Sequence, residues 1–87
     1  MEFRWNPWNE DHIAEHGVSP EEAELVVRTA RRPYPQVAGD EKWLVRGRGL
    51  GGRYLQVIFI LDEDDTVYVI HARPLTEREK RNFRKRK

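Results

Sequence analysis

The first third of the chain carries apolar residues at helical spacing and predicts two helices. The segment NEDHIAEHG predicts a short helix that is capped by Asn9 and ended by Gly17. Ser19 provides the N-cap of a second helix and Pro20 its first residue, a position where proline's missing N–H costs nothing. The apolar residues of this second helix fall on one face: Ala23, Val26, Val27 and Ala30.

The second half of the chain alternates apolar and polar residues, and it predicts an antiparallel meander of three strands joined by tight turns. These strands correspond to EKWLVRGR, RYLQVIFIL and the TVYVIHA that follows an acidic turn. The middle strand is apolar on both faces over residues 57–61, which is typical of a strand in the middle of a sheet. Phe3–Trp5 predicts a fourth short strand or an extended lead-in.

The end of the chain predicts a basic helix. Thr76 and Glu79 have the spacing of a capping box, so this helix begins near Thr76. Because helices and strands occupy separate stretches, the predicted fold class is α+β, with two N-terminal helices, an antiparallel sheet of three to four strands and a C-terminal basic helix. A chain of 87 residues has room for one core, so residues 1–87 are expected to form one domain.

Charge is unevenly distributed along the chain. Residues 71–87 hold eight Lys or Arg and two Glu, a net charge of +6, and because the whole chain carries +1, residues 1–70 carry −5. A basic end of this kind binds polyanions or acidic partners, or it forms a solvated tail. The chain has no cysteine, which fits a cytoplasmic protein, and no apolar run approaches the roughly 20 residues of a membrane span, so no membrane association is expected.

Two long segments resemble a known family. FRWNPWNEDHIAEHGVSPEEA (3–23) resembles the start of BrnT-type toxins, with its F-x-W-[DN]-P and H-G-V-S-x-E-E-A motifs. Residues 42–83 are similar to the family's second half, in which three strands lead to an I-S-A-R motif and a final helix. The resemblance implies a RelE-like fold and the toxin half of a type II toxin–antitoxin system, a ribonuclease that cleaves RNA without metal or cofactor. It also implies a BrnA-like antitoxin as partner, with operator DNA bound only through the antitoxin complex.

Three features depart from the family pattern. His71 stands where the family usually has Ser, and Ile60 and Leu61 replace more polar residues. The turn Asp62–Asp65 is acidic where the family's turn is often basic, and acidic side chains repel a phosphate backbone. These departures favour an alternative function, a catalytically silent RelE-like binding module for an antitoxin or nucleic acid.

His71, Arg73 and Arg53 are the expected catalytic residues. His71 is the acid or base, since an imidazole titrates near pH 6.5, about neutrality. Alternation along the strand places His71 on the face of Val67 and Val69. Arg73 matches the family's I-S-A-R arginine, and its guanidinium suits the scissile phosphate, unless it forms a buried salt bridge with Glu22, Glu24 or another acid of a helix. Arg53 is expected to hold the same phosphate.

Five further residues are expected to bind RNA: Arg46, Arg48, Arg78, Arg81 and Phe83. Arg46 and Arg53 are expected to converge across the glycine-rich hairpin, unless both belong to a solvated edge. Phe83 stacks on a base or packs the last helix against the sheet, and a Glu77–Arg81 pair supports that helix.

Two other pairs of side chains have simpler interpretations. His12 and His16 have the i, i+4 spacing of metal ligands, but no third ligand is evident, so no metal site is predicted. Trp5 and Trp8 are expected to pack the helices onto the sheet.

Overall fold

A mixed sheet of five strands carries three helices in the computed structural model, which describes residues 1–85. The strands are β1 (Phe3–Arg4), β2 (Gln36–Val37), β3 (Lys42–Arg48), β4 (Tyr54–Leu61) and β5 (Val67–Pro74). The helices are α1 (Pro7–Ala14), α2 (Pro20–Arg28) and α3 (Glu77–Lys85). The strand order is β1-β5-β4-β3-β2, so the apolar β4 lies at the centre, as its sequence predicts.

The sheet differs from the expected one in size and in direction. Strands β3, β4 and β5 form the predicted antiparallel meander. The prediction of a purely antiparallel sheet of three to four strands is wrong, because β1 pairs in parallel with β5 and β2 adds a fifth strand beside β3. The short strand expected at Phe3–Trp5 is β1, whereas β2 was not predicted, because a strand of two residues is too short for an alternating pattern to be visible in the sequence.

The core lies between the sheet and the two N-terminal helices. Its fully buried side chains come from both layers and include Ile13, Val26, Val45, Val57 and Val69. The predicted apolar face of α2 is confirmed, since Ala23, Val26 and Val27 are buried and Ala30 packs against them.

Helix α1 begins earlier than predicted. Its N-cap is Asn6, which accepts a hydrogen bond from the Asn9 backbone N–H, and Pro7 takes the first helical position. The expectation that Asn9 caps the helix is therefore wrong. Asn9 is fully buried, and its side-chain amide donates to the carbonyl oxygens of Arg4 at 3.2 Å and Val69 at 3.0 Å. These bonds fasten α1 to the edge of β5 beyond the end of β1.

A β-bulge in β5 changes which side chains share a face. Ile58 of β4 pairs with His71, whereas the next residue, Phe59, pairs with Val69, so Ile70 is the extra residue. Val69 and Ala72 consequently both enter the core although they are three residues apart. The expectation that His71 shares a face with Val69 is wrong, because the bulge shifts the alternation by one residue.

Helix α3 lies on the sheet face opposite α1 and α2. It begins as predicted with a reciprocal capping box, in which Thr76 and Glu79 each accept the other's backbone N–H. Within residues 1–85, none of the helices combines the length and apolar character needed to cross a membrane.

Candidate functional site

All three histidines of the chain meet where α1 crosses the edge of β5. The ring centroid of His71 lies 5.4 Å from that of His16 and 6.0 Å from that of His12. His12 belongs to α1 and His16 to the turn that follows it, and both approach His71, the residue after the bulge at Ile70. His71 is therefore a third imidazole beside His12 and His16. The sequence did not indicate that the three would lie together.

An exposed aromatic surface adjoins the histidines. Trp8 is 60% exposed, and its ring stacks on His12 with a centroid distance of 5.4 Å. The Trp8 ring also lies 6.5 Å from that of Tyr68, nearly parallel to it. Trp8 was expected to pack its helix onto the sheet, and it meets Tyr68 of β5 but stays outside the core. Trp5, for which the same was expected, is half-buried against the core and donates to Glu24 at 2.7 Å. A flat aromatic side chain open to solvent beside imidazoles is suited to stacking on a nucleobase.

The surroundings of His71 favour its neutral form. The pKa of His71 is lowered first by burial and then by the positive charge that His16, Arg73 and His12 can carry. A neutral imidazole accepts a proton, so His71 has the character of a general base near neutral pH. The rings nearest to it are the imidazoles of His16 and His12.

Arg73 follows His71 by two residues in β5 and is bound to a carboxylate. Its two terminal nitrogens donate to the two oxygens of Glu79 in α3 at 2.8 and 2.9 Å, and the Arg73 side chain is 28% exposed. The salt bridge expected as the alternative to phosphate binding is thus present, with Glu79 rather than an acid of α2. The bond from Arg73 contributes most to lowering the pKa of Glu79 to about 2.

Arg46 completes a row of side chains beneath α3. Register pairing places it beside Gln56 and places Gln56 beside Arg73. Arg46 donates to Gln56 at 3.0 Å and to Glu79 at 3.3 Å. The carboxylate of Glu79 in α3 therefore accepts hydrogen bonds from two guanidinium groups, which come from the strands on either side of β4.

Arg53 does not join this site. It donates to both carboxylate oxygens of Glu22, at 3.1 and 2.8 Å, and to the carbonyl oxygen of Gly17. Glu22 belongs to α2, on the opposite face of the sheet from Arg46, so the expected convergence of Arg46 and Arg53 is wrong. The physical reason is that the exposed Arg53 lies just before β4 and turns back to the nearly buried Glu22.

The remaining predicted RNA-binding residues lie around α3. Arg48 donates to the Tyr54 hydroxyl at 2.7 Å, and Phe83 packs against the rings of Tyr34 and Tyr54 with centroid distances of 6.1 and 5.5 Å. Arg78 and Arg81 are exposed on α3. Glu77 pairs with Lys80 at 3.1 Å instead of the expected Arg81. The last two residues of the predicted basic tail, 86–87, lie outside the described residues.

The acidic turn lies far from Arg73. β5 runs from this turn to Arg73, which separates them by about 20 Å at roughly 3.4 Å per residue. Asp62 accepts two hydrogen bonds from Arg4, at 2.8 and 3.0 Å, and Asp64 accepts the Thr66 backbone N–H within the turn. The turn therefore does not repel an anion bound at Arg73 at close range, because such charges are more than a Debye length apart.

The spacing of His12 and His16 is the feature of the sequence that indicates a histidine cluster. Within residues 1–85 no group of three or more His, Cys, Asp or Glu side chains has the arrangement of metal ligands. Imidazoles four residues apart are equally suited to proton transfer. In comparisons with known proteins, the chain matches no family model, no curated protein and no solved structure.

Proposed function

We propose that this protein is a metal-independent endoribonuclease of the toxin class that its sequence resembles, with the three histidines as its catalytic centre. The observation that carries the proposal is the convergence of His71 with His12 and His16, beside an exposed tryptophan. Cleavage of RNA without a metal requires one group that takes a proton and another that gives one. Paired imidazoles provide both at neutral pH.

The reaction uses the RNA's own 2′-hydroxyl as nucleophile. Neutral His71 takes the proton of this hydroxyl while its oxygen attacks the adjacent phosphorus. The bond from phosphorus to the 5′ oxygen then breaks, and a protonated imidazole of His12 or His16 donates its proton to that oxygen. The products are a 2′,3′-cyclic phosphate and a 5′-hydroxyl end, so protons and charges balance.

Arg73 and Trp8 position the substrate in this proposal. The guanidinium of Arg73 stabilises the extra negative charge on phosphorus, provided that the phosphate replaces the carboxylate of Glu79 as its acceptor. Trp8 stacks on the base of a neighbouring nucleotide, a contact worth roughly 1–3 kcal/mol in single-stranded nucleic acid binding. An enzyme of this kind acts on cytoplasmic RNA.

The test is cleavage of labelled single-stranded RNA by the purified protein in the presence of EDTA. We expect His71→Asn to lower the cleavage rate by at least about 10²-fold, because general acid–base catalysis contributes that much or more. Asp11→Asn, an exposed change on α1, is the matched control and should cleave like the unmodified protein. Equal cleavage by the His71 variant and the control, with both folded, would refute the proposal.

A second candidate function is a binding module without turnover. The observation that favours it is that Arg73 and Arg53, both expected to hold the scissile phosphate, are engaged by Glu79 and Glu22. Salt-dependent RNA binding by the unmodified protein without any cleavage would establish this function and exclude the nuclease.

The resemblance also leads us to propose a BrnA-like antitoxin as the partner, with operator DNA contacted through the complex. The basic α3 and the exposed Arg78 and Arg81 are the surface that would meet an acidic antitoxin segment. Co-purification with the product of the adjacent gene, before and after washing in about 1 M salt, tests the partnership. Recovery of the chain alone under both conditions contradicts it.

A further inference from the structure

A cavity of about 570 Å³ opens at the opposite edge of the sheet from the histidines. It lies between the end of α2, strand β3 and α3, and its volume is in the range of small-molecule and nucleotide sites. Four arginines and two aromatic residues dominate its lining: Arg31, Arg32, Arg46, Arg48, Tyr34 and Phe83. The cavity has no acidic residue in its lining.

The positive charge of this cavity is poorly compensated from within the protein. Among residues 1–85, neither Arg31 nor Arg32 forms an ion pair, and both are exposed. Arg48 is bonded to a tyrosine hydroxyl, and Arg46 shares its single carboxylate with a second arginine. Guanidinium groups gathered in this way repel each other unless an anion binds between them.

The floor and wall of the cavity suit a nucleotide rather than a simple anion. β2 pairs only with Trp43 and Leu44, so it leaves the edge of β3 uncovered where Arg46 and Arg48 lie. The rings of Tyr34 and Phe83 stand against each other at a centroid distance of 6.1 Å and line the wall. Aromatic rings beside arginines are the recurring elements of single-stranded nucleic acid sites, where rings stack on bases and guanidinium groups bind phosphates.

We propose that this cavity is a subsite for one nucleotide of single-stranded RNA, with Tyr34 and Phe83 against the base and the arginines on the flanking phosphates. The inference rests on the proposed function for its ligand, RNA. The cavity and the histidines lie on either side of β4, and the Arg46–Gln56–Arg73 row on the α3 face connects them. At about 5 Å per strand, β3 and β5 are roughly 10 Å apart, a distance that a short RNA spans.

Binding rather than cleavage tests the subsite. The ligand is a fluorescently labelled single-stranded RNA oligonucleotide, and the protein is the full chain carrying His71→Asn so that the RNA stays intact. In this background, we expect Arg31→Ala with Arg32→Ala to weaken binding at least tenfold. We also expect the dependence of log K on log salt to fall by about 1.4, because each arginine on a single-strand phosphate contributes about 0.7. Tyr34→Leu, which removes the ring but keeps an apolar side chain, should weaken binding at least fivefold.

The matched control is Arg28→Ala, which removes an exposed arginine of α2 that lies outside the cavity lining. It should stay within about twofold of the parent. If the arginine and tyrosine variants bind RNA like this control, there is no subsite. Competition with inorganic phosphate and with poly-glutamate identifies the ligand, since a nucleotide site prefers RNA to both. Equal displacement by poly-glutamate would mean an acidic peptide site and overturn the inference.

The outcome of this experiment is separate from that of the cleavage test. If the unmodified protein cleaves RNA but the cavity variants bind it normally, the subsite is wrong and the nuclease stands. If the protein never cleaves RNA but loses binding with the cavity variants, the nuclease is wrong and the subsite stands as part of a binding module.

Discussion

Glu79 is the residue at which removing a charge should most clearly lower the stability of the fold. Its carboxylate accepts hydrogen bonds from Arg73 at 2.8 and 2.9 Å, from Arg46 at 3.3 Å and from the backbone N–H of Thr76 at 2.9 Å. Glu79→Gln keeps the size and one acceptor oxygen. It replaces the other oxygen with an amide that donates, so it removes the charge that holds both guanidinium groups.

The size of the expected stability loss follows from the pKa of Glu79. Folding lowers this pKa from 4.5 to about 2, mainly through the hydrogen bond from Arg73. At about 1.4 kcal/mol per pKa unit, this shift corresponds to roughly 3 kcal/mol of folding free energy at neutral pH. Glu79 is 21% exposed, so solvent screens part of this interaction. We therefore expect Glu79→Gln to lower the free energy of unfolding by about 2–3 kcal/mol at pH 7.

The pH dependence has a definite sign. Because the pKa of this carboxyl is lower in the folded state than in the unfolded state, the stabilisation is fully present above the unfolded value of 4.5. It is lost progressively as the pH falls from 4.5 toward 2. The difference between Glu79→Gln and the unmodified protein should therefore narrow to about half near pH 3.

Urea unfolding followed by tryptophan fluorescence measures this difference, since the chain has three tryptophans. Glu77→Gln is the matched control, because it removes the same charge from the same helix at a side chain that is 78% exposed. The control should change stability by less than about 0.5 kcal/mol. A loss of stability for Glu79→Gln no larger than the control's, or one that is the same at pH 3 and pH 7, would refute the reasoning that the charge of Glu79 stabilises the fold through Arg73 and Arg46.

Three further outcomes follow from the structure. The cleavage rate should rise with pH through an apparent pKa below 6.5, because burial and neighbouring positive charge lower the pKa of His71, and a rise centred above 6.5 would contradict this. Glu79→Gln should raise the affinity for single-stranded RNA severalfold in an anisotropy titration, since a competing carboxylate is removed, and weaker binding would contradict it. Gly49→Ala should destabilise the fold by about 1–3 kcal/mol in thermal unfolding, because its Cβ would lie 2.6 Å from the Glu22 side chain. Gly47→Ala, whose Cβ finds its nearest neighbour at 3.7 Å, is the control and should have a much smaller effect.

Sequence patterns predicted the main elements of the fold where they are long. The α2 helix, the central β4 and the start of α3 were visible because capping boxes and apolar runs are local signals. The start of α1 was missed although Asn6-Pro7 repeats the arrangement of Ser19-Pro20, in which a polar cap precedes a proline at the first helical position. Strand β2 was not visible, because two residues after a pair of prolines carry no periodic pattern.

The site was harder to predict because it depends on one inserted residue. Strict alternation puts His71 on the core face, and only the bulge at Ile70 takes it off that face, at the edge of β5 where it meets His12 and His16. A bulge is recognised from the pairing partner, which the sequence does not contain. The carboxylate that holds Arg73 was anticipated as a type of contact, but its identity depends on how α3 folds back over the sheet.

The structure also changes where the available positive charge lies. The sequence places it at the C-terminal end, where residues 71–87 carry a net +6. In the fold, Arg73 forms an ion pair with Glu79 and Lys80 forms one with Glu77. Part of the positive charge of this end is therefore neutralised within the protein. Arg31 and Arg32, which follow α2 in the chain, line an open cavity that has no carboxylate in its lining. The positive charge that is left without a carboxylate therefore lies partly at this cavity and not at the C-terminal end alone.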